Sequence, residues 1–263
     1  MSKIGFIGAG NMGGALARAA AQSAHDVYLS DKDAAKVKAL AAEIGATATA
    51  TDVIVDTCDL IFIGVKPQFA SALADEIRGK LAARTTPFCL VSFMAGVTLA
   101  KVGELFGQYP TVRMMPNTAV AVGKGMITWC ANDMATDAYK ALFVESLAHA
   151  GALDQLAEHL MDAATAVMGC GPAYVYLFLE ALADGGVKCG LPRDKALLYA
   201  EQMVHGAAAL AIESGKHPGE LKDAVCSPGG STIAGVAALE KGGFRGVTMD
   251  AVEAACRRTQ ELG

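Results

Sequence analysis

The chain has no C-x-x-C pair, no basic run, no internal repeat and no low-complexity linker. Each absence excludes something. Seven cysteines (Cys58, Cys89, Cys130, Cys170, Cys189, Cys226 and Cys256) are scattered without metal-ligand spacing. That argues against a zinc site and a disulfide framework and leaves reduced thiols as small core residues. A formal charge of −5 with no basic stripe gives nucleic-acid binding no electrostatic support. The longest apolar stretch, Ala173 to Leu182, is interrupted by Glu180 and followed by Asp184. It falls short of the roughly 20 residues that a membrane span requires, and is expected to be a core or interface helix. Met1-Ser2-Lys3 leads straight into a strand pattern rather than a secretory leader. A soluble cytoplasmic protein is expected, with no membrane partner and no bound metal.

What is present is apolar and rhythmic. Hydrophobic residues make up 53% of the 263 and charged residues 19%, enough for a substantial core. Strand-like runs at 3–7, 26–30, 60–65, 87–91 and 111–114, with a weaker one at 46–50, alternate with helical segments at 12–24 and 33–44 and a short helix that ends near Cys58. Pro67 suits the first turn of the following helix. Strands apolar on both faces imply a parallel sheet covered by helices. From about residue 157 every segment reads as helix: 158–168, 172–188, 193–214, 218–226, 232–241 and 244–261. Gly190, Gly215 and Gly242-Gly243 punctuate them.

The chemistry-bearing motif at the start is Gly8-Ala9-Gly10-Asn11-Met12-Gly13, a G-x-G-x-x-G between an apolar strand and a helix. Gly8 permits the tight turn, Gly10 lets backbone approach a pyrophosphate, and Gly13 lets the helix pack against the strand. The helix N-terminus offers free N–H groups and a positive dipole end to the phosphates. The fold class is therefore α/β then all-α: a Rossmann-type parallel sheet over residues 1–156, binding NAD(P), and a helical domain over 157–263. These helices carry long alanine and leucine faces such as Ala207-Ala208-Ala209-Leu210. About a hundred residues of that composition would expose apolar surface in a monomer, so association through the helical domain is expected.

Asp31 lies 18 residues after Gly13, close to where an acidic residue holds the 2′-hydroxyl of NAD. Ser30 and Lys32 beside it suit the 2′-phosphate of NADP instead. The residues leave the coenzyme open, with a lean to NADPH and NADH also accepted. Lys66 and Pro67 follow the fourth strand, on the edge where open α/β sheets bind ligands. Lys66 reads equally as a solvated strand-end charge, and Asn117 as a simple turn closer. His205 on an apolar helix face reads as a packed residue.

From Val65-Lys66-Pro67-Gln68 onward the chain resembles the pyrroline-5-carboxylate reductase family, which carries out the last step of proline synthesis. Ser92 to Thr98 resembles that family's S-x-x-A-G-V-T segment, Arg113 to Thr118 its R-x-M-P-N-T, and Gly169 to Tyr174 its G-S-G-P-A-Y. Ser227-Pro228-Gly229-Gly230-Ser231-Thr232 resembles S-P-G-G-[TA]-T, the most specific of these. Four positions depart: Ala119 where proline often follows, Met168 and Cys170 for serines, and Cys226 for Ser or Thr. The resemblance implies NAD(P)H-dependent reduction of the C=N bond of (S)-1-pyrroline-5-carboxylate to L-proline. It places Val65, Lys66, Pro67, Ala95, Gly96 and Asn117 about the coenzyme with Ser30 to Lys32 and the glycine loop. It also implies a homodimer, assembled in some members into a decamer.

The residues at 227–232 allow two readings of their own. A glycine-rich hydroxyl loop feeding a helix N-terminus binds a carboxylate, or it is an ordinary cap. The resemblance favours the first, with Ser227, Gly230 and Ser231 on the carboxylate and Thr232 at the imine nitrogen as the catalytic hydroxyl. A β-hydroxyacid dehydrogenase is the nearest rival, but that chemistry needs a lysine on the first helix after the boundary. Residues 169–184 contain none, and Lys188 stands at the far end of that helix. A coenzyme-sensing scaffold without turnover is the rival from another class.

Overall fold

The computed structural model describes residues 1–262, and contacts divide them into two compact units. One comprises residues 1–170 together with those from Ala255 onward; the other is Gly171–Ala254. The sequence reading set its boundary at 156, so the segment 157–170 falls with the sheet rather than with the helices that follow.

The first unit holds an eight-stranded sheet: β1 Lys3–Ile7, β2 Asp26–Ser30, β3 Thr47–Ala48, β4 Leu60–Ile63, β5 Cys89–Ser92, β6 Thr111–Pro116, β7 Gly125–Ala131 and β8 Gly151–Gln155. Its order is β3-β2-β1-β4-β5-β6-β7-β8. The order reverses at β1, so a topological switch point lies between β1 and β4, where such sheets open a crevice. The helices are α1 Asn11–Ala20, α2 Ala34–Ile44, α3 Thr51–Thr57, α4 Ala70–Ala83, α5 Leu99–Phe106, α6 Asp137–Ser146 and the single turn α7 Met161–Ala164.

Strand alternation sorts the core into two layers. Phe6, Leu60 and Phe62 face Leu16 and Ala17 of α1, Leu40 of α2 and Phe143 of α6. Ile7, Ile61 and Ile63 face Ile54 of α3, Ile77 of α4 and Phe106 of α5. Phe6 and Phe62 stack with centroids 4.4 Å apart, tying β1 to β4 at the centre of the sheet. Both faces of β4 are dry, which is why Leu60 to Ile63 reads as an unbroken apolar run.

Every strand pair is parallel except β6 with β7. Between those two runs only a 3-10 segment, Thr118–Val122, and a left-handed Gly123. That is too short for a crossover helix, so the chain turns back antiparallel. Strands β7 and β8 carry no strand expectation from the sequence. Strand β8 lies at the sheet edge and is half-exposed along its length, so it lacks the apolar run that marks the central strands. The helix expected at 158–168 is a composite: a 3-10 turn at Glu158–Leu160, α7, and a π-helical segment Thr165–Gly169 in which Cys170 N donates to Thr165 O at 2.9 Å.

The second unit contains α8 Gly171–Lys188, α9 Arg193–Ser214, α10 Pro218–Ala224, α11 Ser231–Lys241 and the first part of α12 Phe244–Leu262. Helices α8 and α9 pack on each other, and Phe178 meets Phe244 with ring centroids 5.9 Å apart. Among the described residues of this unit, the buried apolar ones are only Ala183, Ala196 and Ala200. Tyr176 and Leu177 of α8 are 62% and 68% exposed and Ile212 of α9 is 82% exposed, so neither is a buried core helix in the single chain. The run Glu158–Lys188 is apolar enough to cross a membrane by length and composition alone.

Candidate active site

Sheet register brings the predicted coenzyme residues into one row. Ile7 pairs with Ser30 of β2 and Ile63 of β4, and Ile63 pairs with Ser92 of β5. Gly8, Asp31, Gly64 and Phe93 therefore each stand one residue beyond aligned strand ends, at the carboxyl edge beside the switch point.

The glycine loop is built around two close approaches, at Gly8 and Gly13, and one open position, at Gly10. Gly8 has φ +103°, a conformation that favours glycine, and its N–H donates to Ser30 O at 2.8 Å. A Cβ on Gly13 would lie 2.0 Å from Gly8 O, so only glycine lets α1 begin against the strand end. A Cβ on Gly10 would meet nothing within 4 Å, which leaves the backbone there open to a ligand. Ala9 is buried, Asn11 exposed and Met12 half-buried against the core. Helix α1 starts at Gly10 with no side-chain cap and no acidic residue in its first turn. Its first N–H groups and dipole end are thus available to an anion, and the open cradle at Gly10 fits a dinucleotide pyrophosphate.

Asp31 is tied into this loop. Its Oδ2 accepts the Ala9 N–H at 2.7 Å and its Oδ1 the Asp33 N–H at 3.1 Å. Ser30 is buried, with its hydroxyl hydrogen-bonded to Thr51 Oγ1 at 2.8 Å. The Lys32 ammonium lies 5.7 Å from the centroid of the Phe69 ring, a cation–π contact on the exposed side. Val65 is half-buried, whereas Lys66 and Pro67 are exposed, and Pro67 opens the 3-10 turn Pro67–Phe69 as its fixed φ suits. Ala95 is exposed and Gly96 adopts φ +74° in the turn after β5.

Asn117 does more than the sequence suggested. Its Oδ1 accepts the N–H groups of Ala119 and Met126, each at 3.2 Å, and its Nδ2 donates to Met168 O at 3.0 Å. One side chain so joins the end of β6, the start of β7 and the π-helical segment, whose widened turn leaves a carbonyl in need of a donor.

Two groups went unnoticed in the sequence. The Phe93 ring fills the space that a Cβ on Gly64 would enter, 1.9 Å away, and lies 3.6 Å from the corresponding point on Gly13. It is the floor on which the β1 and β4 turns rest. Arg113 is buried, with its guanidinium on Glu158 Oε1 at 3.0 Å and Asp162 Oδ1 at 3.3 Å. Glu158 Oε1 also accepts the Leu99 N–H at 2.7 Å. Arg113 appears within a quoted motif, yet only its partners 45 and 49 residues away give it a role. Burial pushes the Cys58 and Cys130 thiols up to about 11 and Cys89 up to about 12, which keeps all three neutral and inert.

In the helical unit, the segment 227–232 forms a turn closed by Gly230 N donating to Ser227 O at 3.0 Å, with Gly229 at φ +68°. A Cβ on Gly230 would lie 2.5 Å from Ser227 Oγ. Helix α11 begins at Ser231 with Gly230 as N-cap, no side-chain cap and no acidic residue in its first turn. Ser227, Ser231 and Thr232 are all exposed. An ordinary cap would place a Ser or Thr oxygen on the N2 or N3 amide. Here those amides stay open to an anion, flanked by three hydroxyls.

Comparison with known proteins shows the family. A family model described as pyrroline-5-carboxylate reductase dimerisation matches residues 158–262. A second, described as NADP oxidoreductase, coenzyme F420-dependent, matches residues 3–96. A pyrroline-5-carboxylate reductase from Pisum sativum is 41% identical over 98% of this chain and 95% of its own. The solved pyrroline carboxylate reductase of Plasmodium falciparum, with NADP bound, superposes with a TM-score of 0.86 at 33% identity, covering 100% of this chain and 98% of that one. The Coxiella burnetii pyrroline-5-carboxylate reductase gives a TM-score of 0.92 at 29% identity over 100% and 98% of the two chains. With its glycine loop, its uncapped α11 and a relative this similar along nearly its whole length, the chain belongs to the pyrroline-5-carboxylate reductase family.

Proposed function

We propose that this chain is an NAD(P)H-dependent oxidoreductase that reduces the C=N bond of (S)-1-pyrroline-5-carboxylate to L-proline, the last step of proline biosynthesis. The observation that carries the reading is an open glycine cradle at the start of α1 in a chain that also holds an uncapped, hydroxyl-flanked α11 N-terminus. The first suits a dinucleotide, and the second a small carboxylate.

Bound coenzyme supplies a hydride to the imine carbon. The protein's part is to hold donor and acceptor carbons in near-attack geometry, which for reactions of this kind is a large share of the barrier. Gly8, Ala9, Gly10, Asn11, Met12 and Gly13 present amides and the helix dipole to the pyrophosphate. Ser30, Asp31 and Lys32 face the adenine ribose. Val65, Lys66, Pro67, Ala95 and Gly96 line the nicotinamide half, where Asn117 acts by fixing the loops around it. Ser227, Gly230 and Ser231 hold the substrate carboxylate through hydroxyl and backbone donors. The Thr232 hydroxyl accepts a hydrogen bond from the protonated imine nitrogen and orients the ring. A cyclic imine is protonated by water before it binds, so the site needs no strong acid. That accounts for the lack of a lysine in residues 169–184, on the first helix after the boundary, where a dehydrogenase of hydroxyacids would need one.

A unit whose only buried apolar residues, among those described, are three alanines needs a second surface. A homodimer formed across the helical unit supplies it, covering the exposed side chains of α8 and α9, and dimers can assemble further into a decamer. On this reading the run Glu158–Lys188 is interface rather than membrane span, and the protein is a soluble cytoplasmic enzyme.

The test is oxidation of NADPH and NADH with pyrroline-5-carboxylate, proline being measured by chromatography, for the natural chain and Thr232→Ala. The expected result is proline from the natural chain and a loss of about 10- to 100-fold in kcat/KM in the variant, the worth of a hydrogen bond to a charged group. A natural chain that binds coenzyme and makes no proline refutes the substrate. A variant as fast as the natural chain refutes the role of Thr232.

A further inference from the structure

We infer that Arg113 is a positioning residue for the nicotinamide end of the coenzyme, acting through Glu158 on the turn between β5 and α5. The inference rests on the reading of Ala95 and Gly96 as coenzyme contacts and deepens it, by naming what holds them in place.

The turn at 93–98 is weakly held from within. Met94 N–H reaches Ser92 Oγ at 3.4 Å and Val97 N–H reaches Met94 O at 3.3 Å, both long bonds. Ala95 is exposed, and Gly96 takes φ +74° between them. The short bond stands at the far end of the turn, where the Leu99 N–H, the first of α5, donates to Glu158 Oε1 at 2.7 Å. A helix leaves its first N–H groups without intrahelical partners, so a carboxylate there gains from a charge-assisted hydrogen bond and from the helix dipole. The start of α5, and the turn that leads into it, are therefore set by a residue 59 positions away.

Glu158 is held in turn by Arg113. The Arg113 residue is 3% exposed, with Nη1 3.0 Å from Glu158 Oε1 and Nη2 3.3 Å from Asp162 Oδ1. Its planar fork takes both carboxylates and keeps one face of the segment 158–162 on the sheet. Arg113 itself is anchored in β6, paired with Ser92 of β5 and Cys130 of β7. Ser92 is the residue from which the turn departs. The turn thus leaves the sheet beside Arg113 and ends on a carboxylate that Arg113 holds, so both its ends are referred to one strand pair. The glycine loop under the adenine half has its own braces, Gly8 N on Ser30 O and Ala9 N on Asp31. Loosening Arg113 should accordingly disturb one end of the coenzyme and spare the other. Hydride transfer is sensitive to such a change, because a shift of about 1 Å in a positioning group costs on the order of 100-fold in rate.

Binding of NADH, followed by nucleotide fluorescence, and of ADP-ribose, followed by calorimetry, separates the two ends on the full chain. Arg113→Lys keeps the charge and loses the fork. Leu99→Pro removes the N–H that reaches Glu158, leaves the ion pairs of Arg113 whole, and suits the first position of a helix. Leu99→Ala also loses the leucine side chain but keeps the N–H. Arg113→Lys and Leu99→Pro should weaken NADH about tenfold and ADP-ribose less than about twofold, with Leu99→Ala within about twofold of the natural chain for both. With pyrroline-5-carboxylate, kcat should fall about 10- to 100-fold in the first two variants. If Arg113 serves only the fold, Arg113→Lys weakens both ligands by one factor or lowers the melting temperature alone, and an unmoved ratio overturns the inference. Leu99→Pro behaving as Leu99→Ala overturns the route through Glu158, and this pair decides the matter even if Arg113→Lys does not fold. A natural chain that binds NADH no more tightly than ADP-ribose would refute the coenzyme contacts at Ala95 and Gly96 themselves, a distinct outcome seen before any variant is made.

Discussion

Gly10 and Gly13 sit three residues apart in one motif, yet adding a methyl group to each should do opposite things. At Gly13 the new Cβ would come 2.0 Å from Gly8 O, a backbone atom within the same tight turn. The turn is itself pinned by Gly8 N on Ser30 O, so relief requires α1 to move off the strand end. Overpacking of this kind costs about 1–3 kcal/mol or more, and a backbone obstacle puts it at the upper end. For a chain of this size that lowers the melting temperature by roughly 5–10 °C, and the coenzyme site is lost with the turn. At Gly10 the new Cβ meets nothing within 4 Å and the backbone, at φ −63° and ψ −169°, is ordinary for alanine. Stability should change by less than about 1 kcal/mol, the scale of a cap substitution without a capping side chain. Coenzyme affinity should nonetheless fall by at least about tenfold, because the methyl group occupies the space the pyrophosphate needs. Differential scanning calorimetry without ligand and fluorescence titration with NADH and NADPH separate the two effects. A Gly10→Ala variant that binds coenzyme normally would show that the pyrophosphate does not lie there. A Gly13→Ala variant that melts with the natural chain would refute the packing argument.

Asn117→Ala removes two acceptor bonds and one donor bond that join β6, β7 and the π-helical segment. It should cost about 2–4 kcal/mol by denaturant titration, whereas a side chain that merely lined a pocket would leave the midpoint unmoved. Alkaline stability carries the mark of the buried thiols. Cys58 and Cys89 ionise in the folded chain only at about 11 and about 12, chiefly because burial disfavours the thiolate. The unfolded chain releases those protons near pH 8.5, so stability is full below that value and falls as pH rises toward 11. Each thiol contributes a slope of about 1.4 kcal/mol per pH unit. Cys58→Ala should flatten that slope by one proton in melts run from pH 8 to 11, and an unchanged slope would count against the assignment. Replacing Leu177 and Ile212, 68% and 82% exposed, by glutamate should shift light-scattering mass to the single chain if α8 and α9 form the dimer surface. A mass that stays at the dimer value would place the interface elsewhere.

Local pattern determined much of this protein. Parallel strands buried on both faces must be apolar throughout, so β1, β2 and β4 could be read to within a residue or two. The spacing of Gly8, Gly10 and Gly13 marked a strand-to-helix turn in which each glycine answers a separate steric demand. The helices from α8 onward were legible from their periodicity and punctuating glycines, and α9 matches its expected limits of 193 and 214. What local pattern could not carry was anything decided by a distant partner. The edge strand β8 has no apolar run because solvent takes one side of it. Asp31 reads in the sequence as a ribose ligand, and only the approach of Ala9, 22 positions away, reveals a carboxylate braced against the glycine loop. Asn117 and Arg113 take their roles from partners 51 and 45 residues distant. Side-chain direction and long-range pairing follow from how the layers close over one another, and this is the part of the protein that the tertiary structure alone decided.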